Sequence, residues 1–287
     1  MSLKRTAVRM MLRILPAPLA VSVARRSPRL TQHLPSSIKT RQSVYGYEVE
    51  LDCQYPIERE MVTGSYDGTA CQVLADFVKP GDAVMDIGAN VGAISLNMAR
   101  RVGNSGRVYA IEPGPLTHDR FQNTIRKNRI ENISLIQIGL SKSKGELQWK
   151  LDRGNLGNAF LVESGGDLNV PVTTLDALAD EHSIGELSFI KVDVEGMELE
   201  VFQGGTSTLE KLKPTLLFET LVARREEQRE RGSSYYDDLE KLLLDIGYVL
   251  FAINETGGYT RTSLDSSSQD TLAIHSSNAA HLKIAAK

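Results

Sequence analysis

The sequence has little cysteine, one tryptophan and no long apolar run. Among its 287 residues the cysteines are Cys53 and Cys71, with no CxxC pair and no histidine nearby, so neither a disulfide framework nor a zinc site is indicated. No stretch approaches the roughly 20 apolar residues that cross a bilayer. An excess of one charge is also missing: 33 Lys and Arg stand against 36 Asp and Glu, which gives the chain no overall electrostatic case for nucleic acid. At 41% hydrophobic and 24% charged, it has the make-up of a globular protein with a full core.

The balanced total hides an asymmetry. Lys4, Arg5, Arg9, Arg13, Arg25, Arg26, Arg29, Lys39 and Arg41 all precede the first acid, Glu48. Residues 1–47 therefore read as a basic arm ahead of a domain at 48–287. The arm's most apolar run, Ile14 to Ala24, carries Pro16 and Pro18 and is too short to span a membrane. The localisation expected is cytoplasmic, with peripheral membrane contact through residues 1–30 and organellar targeting as the alternatives.

From about residue 73, short apolar runs alternate with helical stretches, the order of a mostly parallel sheet with helices on both faces. Strands are predicted at Ala83–Ile87, Val108–Ile111, Ile133–Ile138, Leu187–Val192, Thr215–Phe218, Tyr248–Ile253 and Thr271–His275. Gly145–Lys150 and Val170–Thr173 read as two further strands around a Gly- and Asn-rich loop, Asp152–Asn169, expected to act as a lid.

Off the first of these strands runs DIGANVG, Asp86 to Gly92. Gly88 and Gly92 stand where the backbone turns sharply from strand into helix, with Ala89 and Asn90 between them. A dinucleotide site wants GxGxxG there to hold a pyrophosphate. Here the glycines are four apart, and the acid Asp86 suits a cofactor bearing ammonium and sulfonium charges, S-adenosylmethionine. The next strand ends in Ile111-Glu112-Pro113, twenty residues after Gly92, where an acid can accept hydrogen bonds from both ribose hydroxyls.

In these residues and in the motifs that follow them, the sequence resembles the FkbM family of S-adenosylmethionine-dependent methyltransferases. The resemblance rests on DIGANVG, AIEP (Ala110–Pro113), TTLDAL (Thr173–Leu178), IKVDVEGMELEVFQGG (Ile190–Gly205) and PTLLFE (Pro214–Glu219), in order, over roughly residues 60–220. It implies a seven-stranded Rossmann-like sheet and methyl transfer to the hydroxyl of a sugar, glycan or related product. A departure lies at GSYDG, Gly64–Gly68, where Asp67 stands in place of the family's usual Glu.

Ligands of such sheets gather over the strands' carboxyl ends, which places Lys191, Asp193, Glu195 and Glu219 as candidate catalytic residues. Asp193 is the leading candidate base and also faces the cofactor, and a divalent metal on Asp193 and Glu219 is the alternative way to activate a hydroxyl. The bland alternative is that Asp193 and Glu195 cap the following helix while Lys191 pairs with one of them. RREEQRER, Arg224–Arg231, reads as a solvated helix face or a grip on an acidic acceptor. Asn155 and Asn158 serve turn geometry or bind hydroxyls, Trp149 is core or stacks on a sugar, and no histidine is assigned. The partner expected is a hydroxyl-bearing saccharide. Two other classes share parts of the pattern: an NAD-dependent oxidoreductase, against which the missing GxGxxG counts, and a non-catalytic adapter that retains the fold.

Overall fold

The structure is a computed structural model that describes residues 12, 15–26, 28–64, 66–151, 159–220, 234–254, 257–264 and 270–286. Its strands are β1 (Lys39–Val44), β2 (Tyr47–Asp52), β3 (Ala83–Ile87), β4 (Arg107–Ile111), β5 (Ile133–Ile136), β6 (Gly139–Leu140), β7 (Gly145–Lys150), β8 (Phe160–Val162), β9 (Leu168–Thr173), β10 (Phe189–Val192), β11 (Thr215–Glu219), β12 (Tyr248–Ile253), β13 (Tyr259–Arg261) and β14 (Asp270–His275). The main sheet has the order β13-β12-β14-β11-β10-β3-β4-β5. Strands β5, β4, β3, β10 and β11 pair in parallel, and β14 runs antiparallel between β11 and β12. The order reverses beside β3, so the crevice between the ends of β3 and β10 is the switch point at which open α/β sheets bind ligands.

This is the expected Rossmann-like, mostly parallel sheet, with eight strands in place of seven. The extra one, β13, is a three-residue edge strand paired with β12. Strand periodicity divides the core between the two faces. Val84, Phe189, Leu217 and Leu272 enter one buried cluster with the amino-terminal segment, while Met85, Ile190, Leu216 and Ala273 enter the other.

A second sheet, β6-β9-β7-β8, carries a third, smaller cluster that includes Trp149, Leu161 and Val170. The stretch Asp152–Asn169 is therefore not one continuous loop, because β8 and the start of β9 lie inside it. Residues 152–158, with Asn155 and Asn158, and residues 221–233, with RREEQRER, lie outside the described residues.

Where the basic arm is described, it joins the main core. Leu12, Ala20, Val21, Ala24, Leu34 and Ile38 are buried in the first cluster, and Arg25 bonds the Val62 carbonyl at 2.7 Å. The helix Ala17–Arg26 thus turns its small apolar face inward, a use that the charge pattern alone does not reveal. No described helix is long and apolar enough to cross a membrane.

A bidentate ion pair fastens this amino-terminal layer to the rest. Arg120, on the helix Pro115–Asn128, grips both carboxylate oxygens of Glu58, with Nη2 to Oε2 at 2.5 Å, and Glu58 also accepts the Asp52 N–H at 2.6 Å. Glu58 is 2% exposed, so removing its partner strands a buried charge. We expect Arg120→Met to lower unfolding stability by about 3–5 kcal/mol in urea titrations, and a second change, Glu58→Gln, to recover much of the loss.

Candidate functional site

At the switch point, β3 and β10 come together through their backbones. The Asp193 N–H donates to the Ile87 carbonyl at 2.9 Å, and the Asp193 carbonyl lies so near Gly88 that a Cβ there would sit 1.8 Å from it. Gly88 is required by this close approach. Asn90, at φ 52°, takes the left-handed conformation that Asn tolerates, and its side chain accepts the Val91 N–H at 2.8 Å.

The turn borders a narrow cleft at the place where open α/β sheets take small ligands. Gly88, Asn90, Glu112, Pro113, Asp193 and Glu195 line it, so the structure brings these predicted residues together. Its far end is apolar, formed by Ile138, Leu140, Trp149 and Leu161. Trp149 is thus both a core residue of the small sheet and a wall of the cleft.

Three predicted cofactor residues do not line the cleft. Asp86 is wholly buried beneath it, accepts from the Ser95 hydroxyl at 2.5 Å, and faces Lys191 across the β3–β10 register. A buried charge in that position answers the lysine inside the sheet and does not reach a ligand. The Ala89 N–H is spent on the Ile111 carbonyl at 3.0 Å, and Gly92 packs against the ring of Phe121.

Glu112 is 3% exposed and already well engaged. Its Oε1 accepts from the Gly114 N–H at 2.8 Å and the Thr117 hydroxyl at 2.7 Å, and Oε2 accepts from the Asn90 N–H at 2.7 Å. A carboxylate offers about four acceptor positions, which leaves one for a ligand hydroxyl and not the two anticipated. Burial pushes Glu112 up to about 7, against the pull of those three donors.

The second chemical feature lies across Asp193. A pocket of about 290 Å³ is lined by Glu60, Asp67, Lys191, Asp193, Glu219 and Asp270, among others, so Asp193 borders both cavities. Register explains the convergence: Lys191 pairs with Asp86 and Glu219 with Asp270 across the ladder, on the face that carries Leu217 and Leu272. Lys191 Nζ bonds Asp193 Oδ2 at 2.8 Å. Burial works against the Lys191 charge, but Asp193 and Asp86 outweigh it and hold its pKa well above the usual lysine value. Carboxylate oxygens of Asp193, Glu195 and Glu219 lie within 4.8 Å of one another, close enough to share one cation.

Neither Asp193 nor Glu195 caps the next helix, Glu198–Gln203. Its N-cap is Met197, with no side-chain cap. Glu195 also departs from strand alternation, since β10 ends at Val192 and Glu195 has φ 56°. Asp67, the departure from the family's pattern, serves as N-cap of the helix Gly68–Phe77, accepting the Ala70 N–H at 2.8 Å.

Sequence reasoning missed Glu198 and Asp270. Burial pushes each up to about 7, helped for Asp270 by the nearby Asp67 carboxylate. Glu198 lies inside IKVDVEGMELEVFQGG, two residues after Gly196, and was within reach of motif reading, whereas Asp270 joins the site only through pairing with Glu219 in a distant strand.

The Methyltransferase FkbM domain profile matches residues 86–250. The chain belongs to the FkbM methyltransferase family. It is 27% identical over 140 residues to the hexuronic acid methyltransferase AglP of Haloferax volcanii, covering 48% of this chain and 56% of that protein. It is 22% identical over 160 residues to the 2-O-methyltransferase NoeI of Sinorhizobium fredii, covering 50% and 65%. The aligned segments thus span between half and two thirds of these relatives' lengths. Among solved structures, an FkbM methyltransferase from Methylobacillus flagellatus superposes with a TM-score of 0.44 at 17% identity, over 76% of this chain and 52% of that one.

The buried acids set the pH response of the fold. Glu198 titrates near 7 when folded and near 4.5 when unfolded, so between those values the folded chain holds a proton that the unfolded chain has released. Its contribution to stability therefore falls as pH rises from about 4.5 to about 7, by at most about 3 kcal/mol. Urea unfolding at pH 5, 6, 7 and 8 checks this against Glu198→Gln, which we expect to make the profile shallower by the Glu198 share while Glu112 and Asp270 keep theirs.

Proposed function

We propose that this chain is an S-adenosylmethionine-dependent O-methyltransferase acting on a hydroxyl of a saccharide or glycosylated product. The observation that carries the reading is the place of Asp193, between the cleft at the DIGANVG turn and the acidic pocket, with Lys191 holding one of its oxygens. The name hexuronic acid methyltransferase, for AglP, supports the acceptor class, and the name 2-O-methyltransferase, for NoeI, supports oxygen as the methylated atom.

The cleft's residues fit the cofactor. Glu112 keeps one acceptor position for a ribose hydroxyl, the Ile138, Leu140, Trp149 and Leu161 end suits an apolar-faced base, and Asp193 with Glu195 gives the opposite end a negative character for sulfonium and ammonium charge. When bound, S-adenosylmethionine supplies an electrophilic methyl group. The chain holds the acceptor oxygen in line with it and excludes water. Asp193 accepts the proton of the attacking hydroxyl, and Lys191, fixed by burial and by two carboxylates, keeps the Asp193 side chain oriented.

A second reading of the same residues has observational support. A divalent cation on Asp193, Glu195 and Glu219 would lower the hydroxyl's pKa in place of a carboxylate base, and the spacing of the three carboxylates favours it.

Purified protein incubated with methyl-labelled S-adenosylmethionine and fractionated extract should label a saccharide fraction. Asp193→Asn should cut that labelling about 100-fold or more, within the usual range for a general base. Loss of labelling on chelation, restored by added metal, selects the second reading. Label confined to protein overturns the saccharide assignment.

Glu112 gives a test of the cofactor alone. Only its ionised form offers both oxygens as acceptors, so affinity for S-adenosylhomocysteine should rise with pH through about 7. Calorimetric titration should show Glu112→Ala weakened by about 1–3 kcal/mol at pH 8, with that pH dependence lost.

A further inference from the structure

Resting on the methyl-transfer reading, we infer that Tyr235 is a positioning residue: its hydroxyl holds the turn Asp193–Glu198 so that the Glu195 carboxylate stays beside those of Asp193 and Glu219. Tyr235 lines neither cavity, so it acts through this turn.

The turn needs a hold from outside. Glu195 and Gly196 have φ of 56° and 103°, and for Glu195 this left-handed conformation carries a cost that only the surroundings can offset. The Gly196 peptide is gripped at both ends. Its N–H donates to Glu198 Oε1 at 3.2 Å, and its carbonyl accepts the Tyr235 hydroxyl at 3.0 Å. The Tyr235 oxygen in turn accepts the Leu199 N–H at 2.9 Å, which ties the start of the following helix to the same group, with Glu198 Oε2 at 3.4 Å.

The hold is tertiary. Tyr235 opens the helix Tyr235–Asp245, which packs on Glu198–Gln203, and its ring lies against the second core cluster and edge-on to Tyr236 at 5.2 Å, so the hydroxyl reaches the turn from a separate, packed element. Removing that oxygen takes from the Gly196 carbonyl and the Leu199 N–H the buried partner they share. The turn is then free to relax toward an ordinary conformation, which carries Glu195 away from the cluster. The contacts at Gly88, Asn90 and Glu112 stay in place, so a change in cofactor affinity comes through Glu195, which lines the same cleft.

A double-mutant cycle decides between positioning and plain structural support. Tyr235→Phe, Glu195→Gln and the double variant are compared by kcat and acceptor KM, by calorimetric Kd for S-adenosylmethionine, and by Tm. If Tyr235 acts through Glu195, each single change lowers kcat about 10- to 100-fold, and the double is no slower than the worse single. Because Glu195 borders the cofactor cleft, the Kd values follow the same non-additive pattern. That binding arm still decides the matter if no hydroxyl acceptor is methylated by the wild type, an outcome that overturns the methyl-transfer reading separately. Should Tyr235→Phe fail to fold, Glu198→Ala, which removes the other grip on Gly196, goes through the same cycle. Effects that multiply in the double variant overturn the inference, as does Tyr235→Phe that lowers Tm while leaving Kd and kcat at wild-type values.

Discussion

The contact between the Gly88 backbone and the Asp193 carbonyl is the constraint on which the rest of the site depends. Two parallel strands diverge at their carboxyl ends wherever side chains intervene, and here nothing intervenes. A Cβ on Gly88 would lie 1.8 Å from the Asp193 oxygen, and the Asp193 N–H extends the ladder by a bond to Ile87. This contact sets the DIGANVG turn directly against the chain that carries Asp193 and Glu195. It also makes Asp193 border two cavities, one facing Glu112 and Trp149 and the other facing Glu219 and Asp270.

Around that junction the electrostatics are arranged in two layers. The lower layer is internal to the sheet: Lys191, 7% exposed at its side chain, lies beside Asp86 in register and bonds Asp193 above it. An ammonium buried so deeply persists only because carboxylates surround it, and Asp86 is there for that purpose. The upper layer is the solvent-reachable set, Asp193, Glu195 and Glu219. The lysine links the two, since the charge that justifies its burial also holds the exposed Asp193 in place. Asp86 therefore matters to the site without touching a ligand, which is why it belongs to the motif and yet does not line the cleft.

Much of the fold was legible because the parallel strands are short continuous apolar runs bounded by turn residues. Ala83–Ile87 carries its own boundaries in its composition, and so does Tyr248–Ile253 in the antiparallel part of the sheet. Strands β1 and β13 were not legible, being mostly charged and polar, whereas β2, YEVELD, alternates apolar and acidic residues as a half-buried strand does and was within reach of pattern reading. The arm misled for a related reason: nine basic residues suggested separation, while Ala20, Val21 and Ala24, which decide its docking, are small residues spread at helical spacing. At the site, motif residues could be named but not ranked. Gly88 and Gly92 look alike in DIGANVG, yet one meets a neighbouring strand's carbonyl and the other an aromatic ring. Asp270 and Tyr235 are distant in sequence from every motif, and only strand pairing and helix packing bring them in.

The cleft's polarity, set by two different parts of the fold, is what gives it a direction. Its acidic end belongs to the main sheet, because Asp193 and Glu195 stand where β10 stops. Its apolar end is closed by Trp149 and Leu161, which face each other across β7 and β8 of the small sheet. Glu112 stands between them with Gly114 beside it, where any side chain would strike Glu112 and Trp149 together. A ligand with a cationic head, a hydroxylated middle and a flat apolar tail fits that gradient in one orientation only. Reversed, it would bury its charge against Trp149 and lay its apolar end on two carboxylates, at a desolvation cost of several kcal/mol. The small sheet thus sets the direction of the cleft from the side opposite Asp193: by taking only an apolar end, it would leave a charged end where the acids are.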